Sequence, residues 1–158
     1  MSEDTNDFDD ILNRAGTDLP DEAALYPNGT FRLRCAAVAE GSFQTKEGRT
    51  IKTVSFGYAV GEPGEDVDQD EWSEVAQDVT GQRIWKRYSL SNSAEIAAFK
   101  RDIAAHGIDP NAEGTVLGEQ ARACKGHEVT GTLVRNFYKT KDGTERRENK
   151  ITRLQAVA

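Results

Sequence analysis

The stretch that decides the fold is Arg83-Ile84-Trp85-Lys86-Arg87-Tyr88-Ser89-Leu90. It follows a glycine and is rich in residues that favour extended structure, so it predicts a β-strand. Because successive side chains of a strand point to opposite faces, Ile84, Lys86, Tyr88 and Leu90 would share one face, and Arg83, Trp85 and Arg87 the other. A tryptophan between two arginines on a polar face is typical of surfaces that stack a nucleobase. The alternative is a core tryptophan whose flanking arginines extend to solvent.

Four further segments around this stretch alternate apolar and polar residues or are bounded by turn signals, so they also predict strands. They are residues 30–40, 50–60, 127–140 and 145–155. Between the third and fourth strands, Asn92 and Glu95 resemble a capping box. Ile96, Phe99 and Ile103 then give a helical apolar stripe, and Gly107 is suited to end the helix. A shorter helix is expected near residues 117–124.

The predicted order of strand, strand, strand, helix, strand, strand is that of the OB-fold, a five-stranded barrel. We therefore expect a mainly β protein: an OB-fold-like barrel with one helix between strands three and four. The alternative is an open antiparallel sheet with a helix packed on one face. Residues 1–26 are expected to form a flexible acidic arm, and residues 27–158 the domain. The domain would include a long acidic loop, residues 61–80, anchored by Trp72.

Charge is distributed unevenly along the 158 residues, whose net charge is −7. Residues 1–29 hold eight acidic residues and one arginine, and residues 62–78 hold eight acidic residues and no base. The remaining segments therefore carry a net charge of +8. Since the Debye length is about 8 Å at physiological salt, a distant acidic segment need not cancel a local basic groove.

In a barrel of this kind, the ligand would lie across strands two and three, walled by the loops after strands one and four. Basic residues beside aromatic ones on such a surface indicate binding of unpaired nucleic acid. For the loop after strand four, the alternative is a solvated charged hairpin that binds nothing. The candidate DNA-binding residues are Arg32, Arg34, Lys52, Arg83, Trp85, Arg87, Arg135, Phe137, Tyr138, Lys139, Lys141, Arg146 and Arg147.

Other functional classes find little support in the sequence. It has no glycine-rich phosphate loop, metal-ligand cluster or Ser/His/Asp set in a plausible context, so we expect no enzyme, no cofactor and no metal. Cys35 and Cys124 are expected to be buried free thiols, with a disulfide as the alternative. The acidic first residues are unlike a signal peptide, and no apolar run is long enough to span a membrane. A cytoplasmic protein is expected.

Several motifs between Leu19 and Leu154 give the chain a family resemblance. They are Pro27-x-Gly29-x-Phe31, the strand with Phe56 and Tyr58, the serine-rich helix start, Gly107-Ile108, Gly126-x-x-Val129-x-Gly131 and Asn149-Lys150-Ile151. On these residues the chain resembles the small single-stranded DNA-binding proteins of bacteriophages. The resemblance implies an OB-fold, sequence-tolerant binding in phage DNA replication and recombination, and a location in the host cytoplasm. It assigns binding to Arg83, Trp85, Arg87, Phe137, Lys139 and Lys141.

The functional expectation is a non-catalytic protein that binds single-stranded DNA by base stacking and phosphate contacts. Many single-strand binders recruit replication or recombination proteins through an acidic tail, and here the acidic arm or the 62–78 segment would serve that role. A homo-oligomer is compatible with this interpretation. The alternative is a protein-interaction or virion-accessory β-domain that binds no nucleic acid.

Overall fold

The computed structural model describes residues 12–18 and 23–157. In this part of the chain, five strands and three α-helices follow a short 3₁₀ turn, Gly16–Asp18. The elements are β1 (Gly29–Gln44), β2 (Thr50–Pro63), α1 (Gln69–Val79), β3 (Arg83–Ser89), α2 (Ser93–Ala105), α3 (Leu117–Ala123), β4 (Glu128–Lys139) and β5 (Glu145–Ala156). The mainly β class is confirmed, as are all five predicted strands and both helices predicted after strand three.

The strands form one sheet in the order β3-β2-β1-β4-β5, and every neighbouring pair is antiparallel. β3 and β5 are its two edges. Among the described residues no backbone ladder joins these edges, so the sheet is not closed into a barrel. Two register shifts in β1 against β2, near Leu33 and Cys35, bend the long first strand.

The core lies on one face of this curved sheet. Phe31 and Leu33 of β1, Phe56 and Tyr58 of β2, and Leu133 of β4 have no exposed surface. Their alternation along each strand is the period expected for a sheet with one buried face. Burying each of these large side chains contributes about 1.5–3 kcal/mol of transfer free energy, so this face holds the sheet in its register.

Helix α2 covers part of the core. The Asn92 side chain accepts a hydrogen bond from the Glu95 amide at 2.9 Å, as the capping signal predicts. Phe99 packs 4.9 Å from the ring centre of Tyr88, and Ile103 is fully buried. Ile96 remains 37% exposed, so the predicted stripe contacts the core only from Phe99 onward.

Helix α1 replaces much of the loop expected over residues 61–80. Asp68 caps it by accepting hydrogen bonds from the amides of Asp70 and Glu71 at 2.9 and 3.0 Å. Trp72 stacks on Tyr26 with ring centres 6.4 Å apart, and Val79 is fully buried. The expectation of a single long loop is therefore wrong, whereas Trp72 does anchor this segment. Trp72, Val75 and Val79 recur at i, i+3 and i+7, which is the helical signal that the acidic composition obscured.

The residues before β1 form a strap, residues 23–28, that packs on the domain. The Tyr26 amide donates to Asn149 Oδ1 at 2.8 Å, and Asn149 Nδ2 donates back to the Tyr26 carbonyl at 2.9 Å. The Tyr26 hydroxyl donates to the carbonyls of Val79 and Gln82. Four residues of the expected arm, 23–26, thus belong to the folded domain. The expectations for residues 1–11 and 19–22 lie outside the described residues.

Candidate functional site

The outward face of β3 carries the tryptophan–arginine set. Arg83, Trp85 and Arg87 are exposed, whereas Ile84 and Tyr88, on the opposite face of the strand, are buried. Trp85 retains 49% of its surface. The predicted alternation is confirmed, and the alternative that Trp85 belongs to the core is wrong.

Gly57 forms the seat of the Trp85 ring. The two residues are directly opposite each other in the ladder between β2 and β3. A Cβ atom at position 57 would lie 2.8–2.9 Å from three consecutive carbons of the six-membered ring. That geometry places the face of the indole, rather than its edge, over the glycine backbone. One face of the ring is therefore held against the sheet, which fixes its orientation and leaves the other face accessible.

A shallow floor of small residues runs from this ring across the neighbouring strands. Trp85 of β3 pairs with Gly57 of β2, which pairs in turn with Ala37 of β1. In the next outward row, Arg87 pairs with Ser55, and Ser55 pairs with Ala39. The outward positions of β2 and β1 along this floor are Thr53, Ser55, Gly57, Ala37, Ala39 and Gly41, and the floor ends at Ala59, which lies opposite Arg34 of β1 and Arg83 of β3. Because none of the side chains of the floor is larger than threonine, a flat ligand could approach close to the backbone.

Phe43 is a contributor to this surface that the sequence analysis missed. Its ring is 38% exposed, and the Arg87 guanidinium lies 5.0 Å from its centre. A cation over an aromatic face at this distance is attracted to it, so Phe43 positions Arg87. The available signal is an exposed aromatic residue at the end of β1, just before the turn.

The Trp85 cleft lies between β3 and β5. Its volume is about 300 Å³ and its lining comprises residues 23–26 of the strap, residues 82–85 and residues 147–149. It brings Trp85 and Arg83 together with Arg147 of the distant strand β5. No sequence spacing links these strands, because their proximity depends on the whole sheet.

The hairpin cleft lies beside it, where β4 turns into β5. Its volume is about 530 Å³ and it is lined by Phe137, Tyr138, Lys139, Glu145 and Arg147. Phe137 is 64% exposed and lies opposite Arg147 in the ladder. Arg147 lines both clefts, so the two aromatic surfaces adjoin the same residue of β5. Lys141 is exposed in the turn, and Arg146 is exposed on β5 opposite Tyr138.

Three predicted basic residues, Arg32, Arg34 and Lys52, line neither the Trp85 cleft nor the hairpin cleft. Arg32 forms an ion pair with Glu128 at 3.2 Å, and with Arg34 it lines a separate cleft that also contains Glu62. Lys52 lies on the side of the sheet that faces α2 and α3, in a cleft of about 500 Å³.

Arg135 has a structural role. Its Nε donates to the Tyr26 carbonyl at 3.3 Å, and its Nη2 donates to the Leu25 carbonyl at 3.5 Å. Its Nη1 lies 4.0 Å from a carboxylate oxygen of Glu71 in α1. Arg135 therefore holds the strap in place and is not aimed at the Trp85 cleft. Long-range contacts of this kind are not visible in the sequence.

The inward-facing polar groups form a buried network. His106 Nδ1 donates to the Asp102 carbonyl at 2.6 Å, so its Nε2 can accept from the Tyr58 hydroxyl at 3.0 Å. Burial lowers the pKa of His106 and raises the pKa of Tyr58, which keeps both neutral. Lys86 pairs with Asp102 at 2.9 Å, and Tyr88 donates to the same carboxylate. These contacts tie β2 and β3 to α2.

The two cysteines are buried free thiols, as predicted. Burial raises the pKa of both, that of Cys124 to about 12, so neither thiol is activated as a nucleophile. Within residues 12–18 and 23–157, no group of three or more His, Cys, Asp or Glu side chains could hold a metal ion. None of the helices described is both long and apolar enough to cross a membrane.

Comparison of the sequence with protein-family models and with curated proteins finds no match.

Proposed function

We propose that the protein is a non-catalytic, sequence-tolerant binder of single-stranded DNA. The observation that carries this proposal is the exposed indole of Trp85, seated on Gly57 and flanked by Arg83 and Arg87. Stacking of one base on such a platform contributes roughly 1–3 kcal/mol. A protein that needed Trp85 only for stability would gain more by burying it.

Single strands suit this surface better than a duplex. Stacking on Trp85 or Phe137 requires a base whose face is free, which a duplex does not offer. The floor of small residues lets an unpaired base lie close to the sheet, and Arg147 adjoins both aromatic surfaces. Phosphate contacts from the arginines add affinity that falls as salt rises.

The proposal also includes an OB-fold-like barrel as the architecture of the domain. The order β3-β2-β1-β4-β5, with α2 between β3 and β4, suits a partly open OB-fold-like barrel. In such a barrel β3 and β5 approach each other, and residues of both strands line the Trp85 cleft. The cleft would then lie along the seam at which the barrel stays open.

The biological setting is a further part of the proposal. A protein of this kind would hold strands open during phage DNA replication and recombination in the host cytoplasm. The acidic face of α1 or the acidic N-terminal residues would contact partner proteins. The support for these roles is the separation of the acidic segments from the basic face in the sequence.

Binding of fluorescently labelled oligonucleotides, followed by anisotropy at two salt concentrations, tests the proposal. The full chain is titrated with oligo-dT, with a duplex of mixed sequence and with single-stranded RNA. We expect oligo-dT to bind more tightly than the duplex, with an affinity that falls steeply with salt. Equal binding of duplex and single strand, or no binding at low salt, would contradict the proposal. The RNA titration reports whether the site also accepts a 2′-hydroxyl.

A further inference from the structure

A second cleft lies farther along the edges of β3 and β5. Its volume is about 330 Å³. Lys86 of β3 contributes to it, as do Ala98, Arg101 and Asp102 of α2 and residues 152–155 of β5. None of its lining residues is aromatic, in contrast to the Trp85 cleft. We call it the α2 cleft.

The charge of the α2 cleft is positive. Lys86 and Asp102 neutralise each other through an ion pair of 2.9 Å, and the same carboxylate also accepts from Tyr88. Arg101 and Arg153 are exposed, and neither forms an ion pair with another described residue. Two guanidinium groups therefore face a cleft whose single carboxylate is already engaged.

The α2 cleft follows the Trp85 cleft along the edges of the same two strands, on the side of the sheet where Lys86 pairs with Asp102 of α2. On β3 the lining passes from Trp85 to the next residue, Lys86, and on β5 it passes from residues 147–149 to residues 152–155. No described backbone hydrogen bond joins these two edges. Part of the β5 backbone along this stretch therefore lacks a strand partner and can donate N–H groups to a ligand.

We propose that the α2 cleft binds the phosphate backbone of the single strand whose base stacks on Trp85. This inference rests on the proposed function and extends it from the sheet face to the seam beside α2. Guanidinium groups bind phosphate through paired, charge-assisted hydrogen bonds. Because no ring is present to stack a base, contacts there would depend on chain length and salt and not on base identity.

The double variant Arg101→Gln/Arg153→Gln tests the assignment. Its control is Arg122→Gln/Lys125→Gln, which removes the same charge from two exposed residues at the end of α3 that line neither cleft. Each protein is titrated with oligo-dT of about 4 and about 16 nucleotides, the range of site sizes for one OB-fold. For the longer strand, the cleft variant should lower the slope of log K against log salt by about 1.4 relative to wild type, since each phosphate contact contributes about 0.7.

The outcomes separate the two proposals. We expect the cleft variant to retain the affinity of wild type for the shorter strand and the control to retain it for both strands. If the wild-type protein binds oligo-dT and the cleft variant keeps its full salt dependence with the longer strand, the α2 cleft is not a phosphate site. If the wild-type protein does not bind oligo-dT at low salt, the proposed function itself is wrong. Thermal unfolding of each variant verifies that the fold is retained.

Discussion

The two tryptophans occupy opposite kinds of environment. Trp72, on the acidic helix α1, stacks on Tyr26 and meets Phe31 edge to face with ring centres 5.6 Å apart. Trp85, on the basic face of β3, lies on a glycine and keeps half of its surface in solvent. The same side chain thus fastens one region to the core and presents an open ring in the other.

The difference lies in what surrounds each ring. Trp72 belongs to an apolar stripe that ends at the fully buried Val79, so its removal would expose core residues. Trp85 has arginines at the flanking outward positions of β3, and its ring lies over the backbone of Gly57. We therefore expect mutations at Trp72 to change stability and mutations at Trp85 to change binding.

The largest effect is expected for Trp72→Ala. Removing an aromatic ring from a core costs about 3–5 kcal/mol, and we expect about 2–3 kcal/mol here because Trp72 is only half-buried. Urea unfolding measures this loss directly. The affinity of the folded variant for oligo-dT should stay close to that of wild type. If Trp72→Ala instead lowered the affinity and left the free energy of unfolding unchanged, Trp72 would contribute to binding and not to stability.

Trp85→Ala should cost roughly 1–3 kcal/mol of binding free energy, the contribution of one stacked base. This corresponds to a decrease in affinity of about 5-fold to 150-fold. The free energy of unfolding should change by less than about 1 kcal/mol, as is usual for exposed positions. Parallel titrations and urea unfolding measure both quantities. A larger effect on affinity from Trp72→Ala than from Trp85→Ala would mean that the binding face is misassigned.

Gly57→Ala tests the seat without removing the ring. The new Cβ would lie 2.8 Å from the indole, so the ring must move away from the sheet. We expect a loss of affinity for oligo-dT of about 3-fold to 10-fold, less than that of losing the stacked base. Gly118→Ala is the control, because Gly118 lies in α3 away from the floor and its Cβ would meet only the side-chain ends of Arg122 and Glu40, at 3.3 Å or more. Equal affinities of the two variants would show that the seat does not orient Trp85.

Arg83→Gln and Arg87→Gln should each reduce the salt dependence. Each lost phosphate contact lowers the slope of log K against log salt by about 0.7. Arg32→Gln provides the comparison, since Arg32 is paired with Glu128 away from the Trp85 cleft. Titrations at several salt concentrations give the slopes. Equal slopes for all three variants would remove the reason for assigning phosphate contacts to β3.

The smallest effect concerns the acidic helix. If the negative charge of α1 repels DNA, the double variant Asp70→Asn/Glu74→Gln should raise the affinity for oligo-dT at low salt, by no more than about 3-fold. At high salt the repulsion is screened, so the variant and wild type should bind equally. Both residues are exposed and neither contributes to the core. Deleting the whole acidic segment would be a poorer test, because it removes Trp72. Unchanged affinity at low salt would mean that α1 does not affect binding.

The sequence predicts the local elements because their signals are local. Alternation identifies β3 and its outward Trp85, and the side chain of Asn92 identifies the start of α2. The sequence does not predict that Gly57 and Trp85 form a cross-strand pair, because this pairing depends on the register of β2 and β3. The sequence also gives no sign of the contacts of Arg135, whose partners Leu25 and Tyr26 are about 110 residues away. Site geometry that depends on long-range pairing is therefore the part that required the structure.

The most direct measurement follows the fluorescence of Trp85 itself. In a Trp72→Phe variant, Trp85 is the single tryptophan of the chain, so its emission reports on this ring alone. Titration with oligo-dT at low salt should quench that emission in parallel with the anisotropy of the labelled strand, and added salt should reverse both. Binding detected by anisotropy with unchanged Trp85 emission would contradict the claim that an unpaired base stacks on this ring.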